Sequence, residues 1–384
     1  MTDPKAPAPD ANACHLDPRQ RRRGLIALSA AVAGAGFVMA MQMGLNANFL
    51  ADVIGVSGLQ LGILEAVRET CGITALLGLA LFAGLAEPVI GALMLVLFGL
   101  GLGGYTFVST YGAVVAMSVV WSQGLHIWMP LPRSMAMALA EPHQAGRRLG
   151  QMHAAGSAGF VVGLLAAYLL TRIGVPLRPL FLVAAGVGLI AATFCLGIPR
   201  QIKTPGPRFV LRKRYGLYYL LSFLEGWRKQ IFVCFAGFLL VRVHGTPLET
   251  ILMLWGLVQL ISYLAAPRVG TLIDRIGERR ILVFYFSCLT AFFIGYATIP
   301  NRFVLYGLFV VDSAFFVLAM GLTTYVNRLA PPAERTPTLG MGVAMNHAAA
   351  VTMPLLGGWA WYRFGYQWPF LIGAVAAALS VLVA

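Results

Sequence analysis

Three charges stand together in an otherwise apolar stretch, SFLEGWRKQIFVCF, at residues 222–235. Glu225, Arg228 and Lys229 are spaced i, i+3 and i+4, so a helix gathers them on one face with the acid N-terminal to both bases. No charge occurs in Tyr215 to Leu224 before them or in Ile231 to Val241 after them. At ~1.5 Å per residue, Glu225 lies ~15 Å and Lys229 ~21 Å from Tyr215. That depth is the middle of a hydrocarbon core ~30 Å thick. A charge there faces protein or a water-filled cavity. Two readings compete: an internal ion pair that only neutralises itself, or a cavity wall that holds a solute or a coupling ion. One acid matches one base, and the second base is left over, which favours the cavity wall.

Other polar residues fall inside apolar stretches. LEAVRET carries Glu65, Arg68 and Glu69, repeating the i, i+3 acid-to-arginine spacing. A packing ion pair and a gate or solute contact are equally compatible with it. Asp312 in FVVDSAFF is a lone acid ten residues into its stretch, costly unless paired or protonated. Its candidate roles are partner of Arg228 or Lys229, or proton carrier; Glu225 is the other candidate for proton coupling. MQMGLNANF offers Gln42, Asn46 and Asn48; a later stretch offers Gln123, His126 and Arg133. These suit a hydrogen-bonding cavity or interhelical contacts. His153 and His347 hold loosely matching places in the two chain halves and read first as buried, hydrogen-bonded imidazoles.

The elements that position these residues follow from composition. The 384 residues are 59% hydrophobic and 11% charged, with mean hydropathy +0.79. Soluble domains carry roughly 25% charged residues, so the chain reads as an all-α polytopic membrane protein. Twelve stretches are long enough to span: approximately 24–50, 58–84, 88–107, 110–139, 148–171, 178–198, 215–241, 249–271, 280–299, 302–325, 337–361 and 366–384. The net charge of +14 does not point to nucleic acid, because the basic residues cluster in the short loops. With the N-terminus inside, 19 of 28 Lys and Arg fall in cytoplasmic segments. That bias places both termini in the cytoplasm. Residues 1–23 are expected to be a disordered cytoplasmic tail whose arginines flank an uncleaved first helix.

The chain also repeats. RIGVPLRPLFL (172–182) resembles RFGYQWPFL (363–371), half a chain apart. Two parallel six-span halves follow, 24–198 and 215–384, joined by a basic linker, 199–214. The five cysteines form no CxxC pair and read as small buried hydrophobes, so no metal site is expected. HExxH, GxSxG and GxxxxGK[ST] patterns are missing, so neither a catalytic site nor a cofactor is expected.

GTLIDRIGERR, Gly270 to Arg280, resembles the signature loop of the major facilitator superfamily, G-x-L-x-D-R-x-G-x-R-R. The resemblance covers residues 24–384 and implies twelve helices in two pseudo-symmetric halves, with spans one, four, seven and ten around a central cavity. It assigns Gly270, Asp274, Arg275, Gly277, Arg279 and Arg280 to a conformational lock, the two glycines permitting a tight turn. Departures exist: the matching first-half loop, GLAEPVIG, has Glu87 but no arginine pair, and Phe160 stands where family antiporters often carry Pro. The expected function is secondary transport of a small organic solute by alternating access, with a lean to anionic or zwitterionic solutes and coupling to protons. The expected site is Glu225, Arg228, Lys229 and Asp312, with Glu65, Arg68, Gln123 and Asn46 nearby. The expected setting is the cytoplasmic membrane, as a monomer. Multidrug efflux is the alternative within the family, and a non-transporting sensor or assembly factor the alternative outside it.

Overall fold

The computed structural model describes residues 16–82, 84–141, 144–203 and 211–384. Within them lie twelve helical segments: α1 (Pro18–Ile54), α2 (Gly58–Leu81), α3 (Glu87–Thr106), α4 (Tyr111–Leu139), α5 (Ala145–Arg172), α6 (Leu177–Cys195), α7 (216–242), α8 (Leu248–Ile276), α9 (Glu278–Thr298), α10 (302–329), α11 (Pro332–Phe364) and α12 (Gln367–Val383). Among the described residues there is no strand, only a single bridge between Ala86 and Lys203. Eight segments are long and apolar enough to cross a membrane; α8 and α12 hold shorter apolar stretches. The remaining two, α2 and α7, are the ones that carry three charges near their middle.

The packing pattern repeats with an offset of six helices. In the first half α1 packs on α5 and α6, α3 on α6, and α2 on α4. In the second half α7 packs on α11 and α12, α9 on α12, and α8 on α10. The halves meet through α2 with α11 and α5 with α8, again a matched pair. The repeated Arg-x-Gly signature has a structural counterpart. Gly174 and Gly365 both turn the chain between helices at positive φ, 86° and 107°, a conformation that costs a side-chain-bearing residue energy.

Some boundaries differ from expectation. Helix α1 starts at Pro18, not after the arginines, because Asp17 builds a capping box. Its side chain accepts from Arg19 N–H, and Gln20 accepts from Asp17 N–H at 3.2 Å. Residues 1–15 lie outside the described part. In the signature loop, Gly270 is not in a turn. Helix α8 runs through it to Ile276, and Gly277 alone makes the turn, at φ 88°. Arg275, Arg279 and Arg280 face outward; the Asp274 side chain lies outside the described residues. The 199–214 linker is anchored at both described ends. Glu87 N–H donates to Ile202 O at 2.9 Å, and Arg212, Arg214 and Tyr215 all engage Glu334.

Candidate functional site

Helices α1, α2, α4, α7, α8, α10 and α11 enclose a cavity of ≈ 490 Å³, a volume suited to a small molecule. Its deep end is formed by buried Leu50, Leu61, Phe238 and Ile251, and its mouth by exposed Met129 and Val343. The deep end is where the halves are joined. Asn48 Nδ2 donates to Thr246 O at 3.3 Å, Arg242 Nη1 to Ala51 O at 3.5 Å, and Gly62 packs on Gly358. The mouth is at the end that carries the linker and the signature loop.

The charged triplet of α7 separates into two parts. Arg228 is fully buried and does not line the cavity. It pairs with Glu225, donates to Tyr285 Oη, and has Nη1 3.8 Å from Asp312 Oδ1. The guanidinium lies 4.1 Å from the centre of the Phe316 ring. Asp312 is also fully buried and off the cavity, and among the described residues neither of its oxygens has a hydrogen-bond partner. The expectation that Arg228 and Asp312 belong to the cavity wall is therefore corrected: they sit behind it, where protein replaces water around them. Glu225 and Lys229 do line the cavity. Lys229 Nζ donates to Asn346 Oδ1 of α11 at 3.1 Å and forms no ion pair among the described residues. That contact depends on Gly226, where a Cβ would come within 2.7 Å of Asn346 O and push α7 away. Two departures from α-geometry flank the cluster, a π-helical turn at Phe232–Ala236 and a 3₁₀ turn at Phe316–Ala319. They redirect α7 and α10 beside the charges.

On the opposite wall Arg68 lies between Glu65 and Glu69, with Nη2 2.9 Å from Glu69 Oε1, and 5.3 Å from the centre of the Trp121 ring. All three charged residues line the cavity. Glu69 Oε2 lies 3.4 Å from His347 Nδ1 across the boundary between halves. His126 stacks edge-on to His347, with ring centres 5.1 Å apart.

The remaining expected residues divide likewise. Gln42 and Asn46 line the cavity, and among the described residues Asn46 Oδ1 has no hydrogen-bond partner. Gln123 does not reach it. Its Oε1 accepts from Thr74 Oγ1 at 2.7 Å, so it joins α4 to α2 instead. Asn48 is used at the closed end. Arg133 and His153 face outward, while His347 faces in. Glu87, the departure in the first-half loop, is buried and accepts from Ser134 Oγ at 2.7 Å. Sequence spacing placed Glu69, His126 and His347 on separate spans and gave no signal that they converge.

The sequence profile described as Major Facilitator Superfamily matches residues 27–322 and 218–384. The chain belongs to the Major Facilitator Superfamily. No curated protein sequence matches it. Solved structures similar to this superfamily member include a point mutant of the nucleoside transporter NupG, at 15% identity and TM-score 0.78, covering 93% of this chain and 98% of that one. A bacterial homolog to the human lysosomal transporter Spinster, inward-facing and occupied, is 12% identical with TM-score 0.69, covering 96% and 95%. A POT family transporter in complex with 5-aminolevulinic acid is 10% identical with TM-score 0.72, covering 94% and 95%. At these identities the likeness is one of fold. This superfamily member is thus a multi-pass membrane protein with a transporter fold. The superfamily expectation that spans one, four, seven and ten surround the cavity holds, and α2, α8 and α11 join them.

Proposed function

We propose that this protein carries a small anionic or zwitterionic organic solute across the cytoplasmic membrane by alternating access, as a monomer with both termini in the cytoplasm. The observation that carries the reading is Lys229: a cation on the cavity wall, held by the neutral Asn346 and by no carboxylate within ion-pair reach among the described residues. Glu225 is occupied by Arg228, so the ammonium is free to receive an anionic group of a solute. Glu69 and Glu65 on the opposite wall suit the cationic end of a zwitterion. With the expected orientation, the closed end faces outside, and the mouth opens to the cytoplasm. Transporters of organic solutes among the structures alike in fold support the size class. The same buried chemistry makes Asp312 and Glu225 the candidates for a coupling proton.

A thermal-shift screen over metabolite classes on the purified protein identifies a stabilising solute, and flux of that solute is then measured in proteoliposomes. Lys229→Met is expected to melt like the wild type and to lose solute affinity by about 2–5 kcal/mol, roughly 30-fold or more. Wild-type flux by Lys229→Met removes Lys229 from the solute site. Unfolding of that variant shows instead that the lysine serves packing.

A further inference from the structure

We infer that Glu69, His126 and His347 form a binding site for a divalent transition metal of the zinc class, one that ties the two halves together. The inference concerns metal binding and stands whether or not the proposed solute class is right. One carboxylate oxygen and one ring nitrogen from each histidine lie within 4.8 Å of one another. They come from α2, α4 and α11, so two ligands belong to the first half and one to the second. A zinc–nitrogen bond is about 2.0–2.1 Å, which sets tetrahedral ligand atoms about 3.3 Å apart. Closing the widest pair by up to about 1.5 Å completes the set.

Two of the three donors are already oriented by a group outside the set, as metal sites require. His126 Nδ1 lies 2.8 Å from Ser122 O. A carbonyl only accepts, so Nδ1 carries the proton and Nε2 presents its lone pair. Glu69 Oε1 is engaged by Arg68 Nη2 at 2.9 Å, which leaves Oε2 turned toward His347. His347 Nδ1 is buried and, among the described residues, has only the long 3.4 Å approach to Glu69 Oε2, a position that a metal between the two would satisfy. The ring fits only because residue 72 is glycine: a Cβ there would lie 2.3 Å from His347 Nδ1.

Two imidazoles and one carboxylate, with the fourth position open to the cavity, suit zinc and its neighbours rather than calcium or magnesium. Arg68 pairs with Glu69 Oε1 and competes for that carboxylate, but it leaves Oε2 to an ion. Because His347 moves with the opposite half, a bound ion holds the bundle in the present arrangement, joined at the deep end.

The test is cobalt(II) and zinc binding to the purified full chain in detergent. Wild-type protein is expected to bind one equivalent of cobalt with a visible d–d band of nitrogen and oxygen ligation, and zinc is expected to displace it. His126→Ala, His347→Ala and His347→Gln should each weaken binding by at least about tenfold while melting like the wild type without metal. Zinc should raise the melting temperature of the wild type, since it binds only the folded state, and should leave that of the histidine variants unmoved. Equal stoichiometry and affinity in the wild type and the histidine variants overturns the proposal. So does a sulfur-to-cobalt charge-transfer band, which would place the ion on cysteine.

Discussion

Arg68 and Arg228 each pair with acids on both sides beneath an aromatic ring, yet the first lines the cavity and the second lies behind its wall. Both sets contain two carboxylates and one guanidinium. Helices α2 and α7 are not related by the six-helix repeat, so the likeness is chemical and not inherited from the pseudo-symmetry. The difference is where the second acid goes. Glu69 reaches into the cavity and faces His347 of the other half. Asp312 is sealed off beside Arg228 with no hydrogen-bond donor to its oxygens among the described residues. One cluster is therefore exposed to whatever enters, and the other is a buried strut that frees its neighbour Lys229. Spacing along a helix cannot distinguish the two, because both read as acid and arginine at i, i+3.

The largest expected effect follows from burial. Arg228→Met leaves Glu225 and Asp312 without their cation in a fully buried place, a loss of about 3–5 kcal/mol. Arg68→Met leaves Glu65 and Glu69 in reach of cavity water and should cost less. Melting temperatures in detergent compare the two, and a triple variant, Arg228→Met with Glu225→Gln and Asp312→Asn, should recover most of the loss. Equal destabilisation by Arg228→Met and Arg68→Met would break the distinction between strut and cavity face.

Asp312→Asn is gentler, because Glu225 and Arg228 remain a matched pair. The variant should fold. If Asp312 carries the coupling proton, solute accumulation driven by a pH gradient should vanish while downhill exchange persists. Full response to the gradient in Asp312→Asn would assign the proton elsewhere. Glu69→Gln is the matching experiment on the other wall, and its effect should fall on solute affinity before it falls on coupling.

Two glycines sharpen the comparison at a smaller scale. Gly226→Ala places a methyl 2.7 Å from the Asn346 carbonyl oxygen, a backbone atom that cannot rotate away. Overpacking of this kind costs about 1–3 kcal/mol, and the displaced α7 should lose the contact from Lys229 to Asn346. Gly72→Ala meets a His347 ring nitrogen at 2.3 Å. A side chain can turn aside, so melting should change less while cobalt binding is lost. A stability loss for Gly72→Ala as large as for Gly226→Ala would show that His347 is held as rigidly as backbone.

Twelve helical segments were legible as apolar runs, which need no partner to be recognised, and eight of those described are long and apolar enough to cross a membrane. The half-chain repeat was legible for a related reason: Gly174 and Gly365 do local work that only their backbone freedom permits. The site was legible only in part. Depth along α7 marked Glu225, Arg228 and Lys229 as a face, but which of them reaches the cavity depends on α9 and α10, which supply Tyr285, Asp312 and Phe316 to Arg228. Gln123 had the right polarity for a cavity and was claimed by Thr74 of the neighbouring helix. The convergence of Glu69, His126 and His347 is a property of three helices at once and has no signature along any one of them.

Glu334 provides the smallest test, a charge cluster at the surface to set against the two buried ones. Hydrogen bonds from Tyr215 and Arg214 hold its carboxyl below the ordinary glutamate value of 4.5, with Arg212 3.2 Å away adding to the effect. A lowered folded value means that the stabilisation is present at neutral pH and is lost as the pH falls through that value. The cluster is open to water, so screening keeps its contribution small. Glu334→Gln should change the melting temperature little at pH 7, should abolish its decline with acidification at this site, and should lose even the small neutral-pH effect in high salt. Arg228 and Asp312, buried behind the cavity wall, should show no such salt dependence. A salt response of Arg228→Met as large as that of Glu334→Gln would mean that water reaches the strut, and that the contrast between the buried and cavity-facing arginines is one of degree.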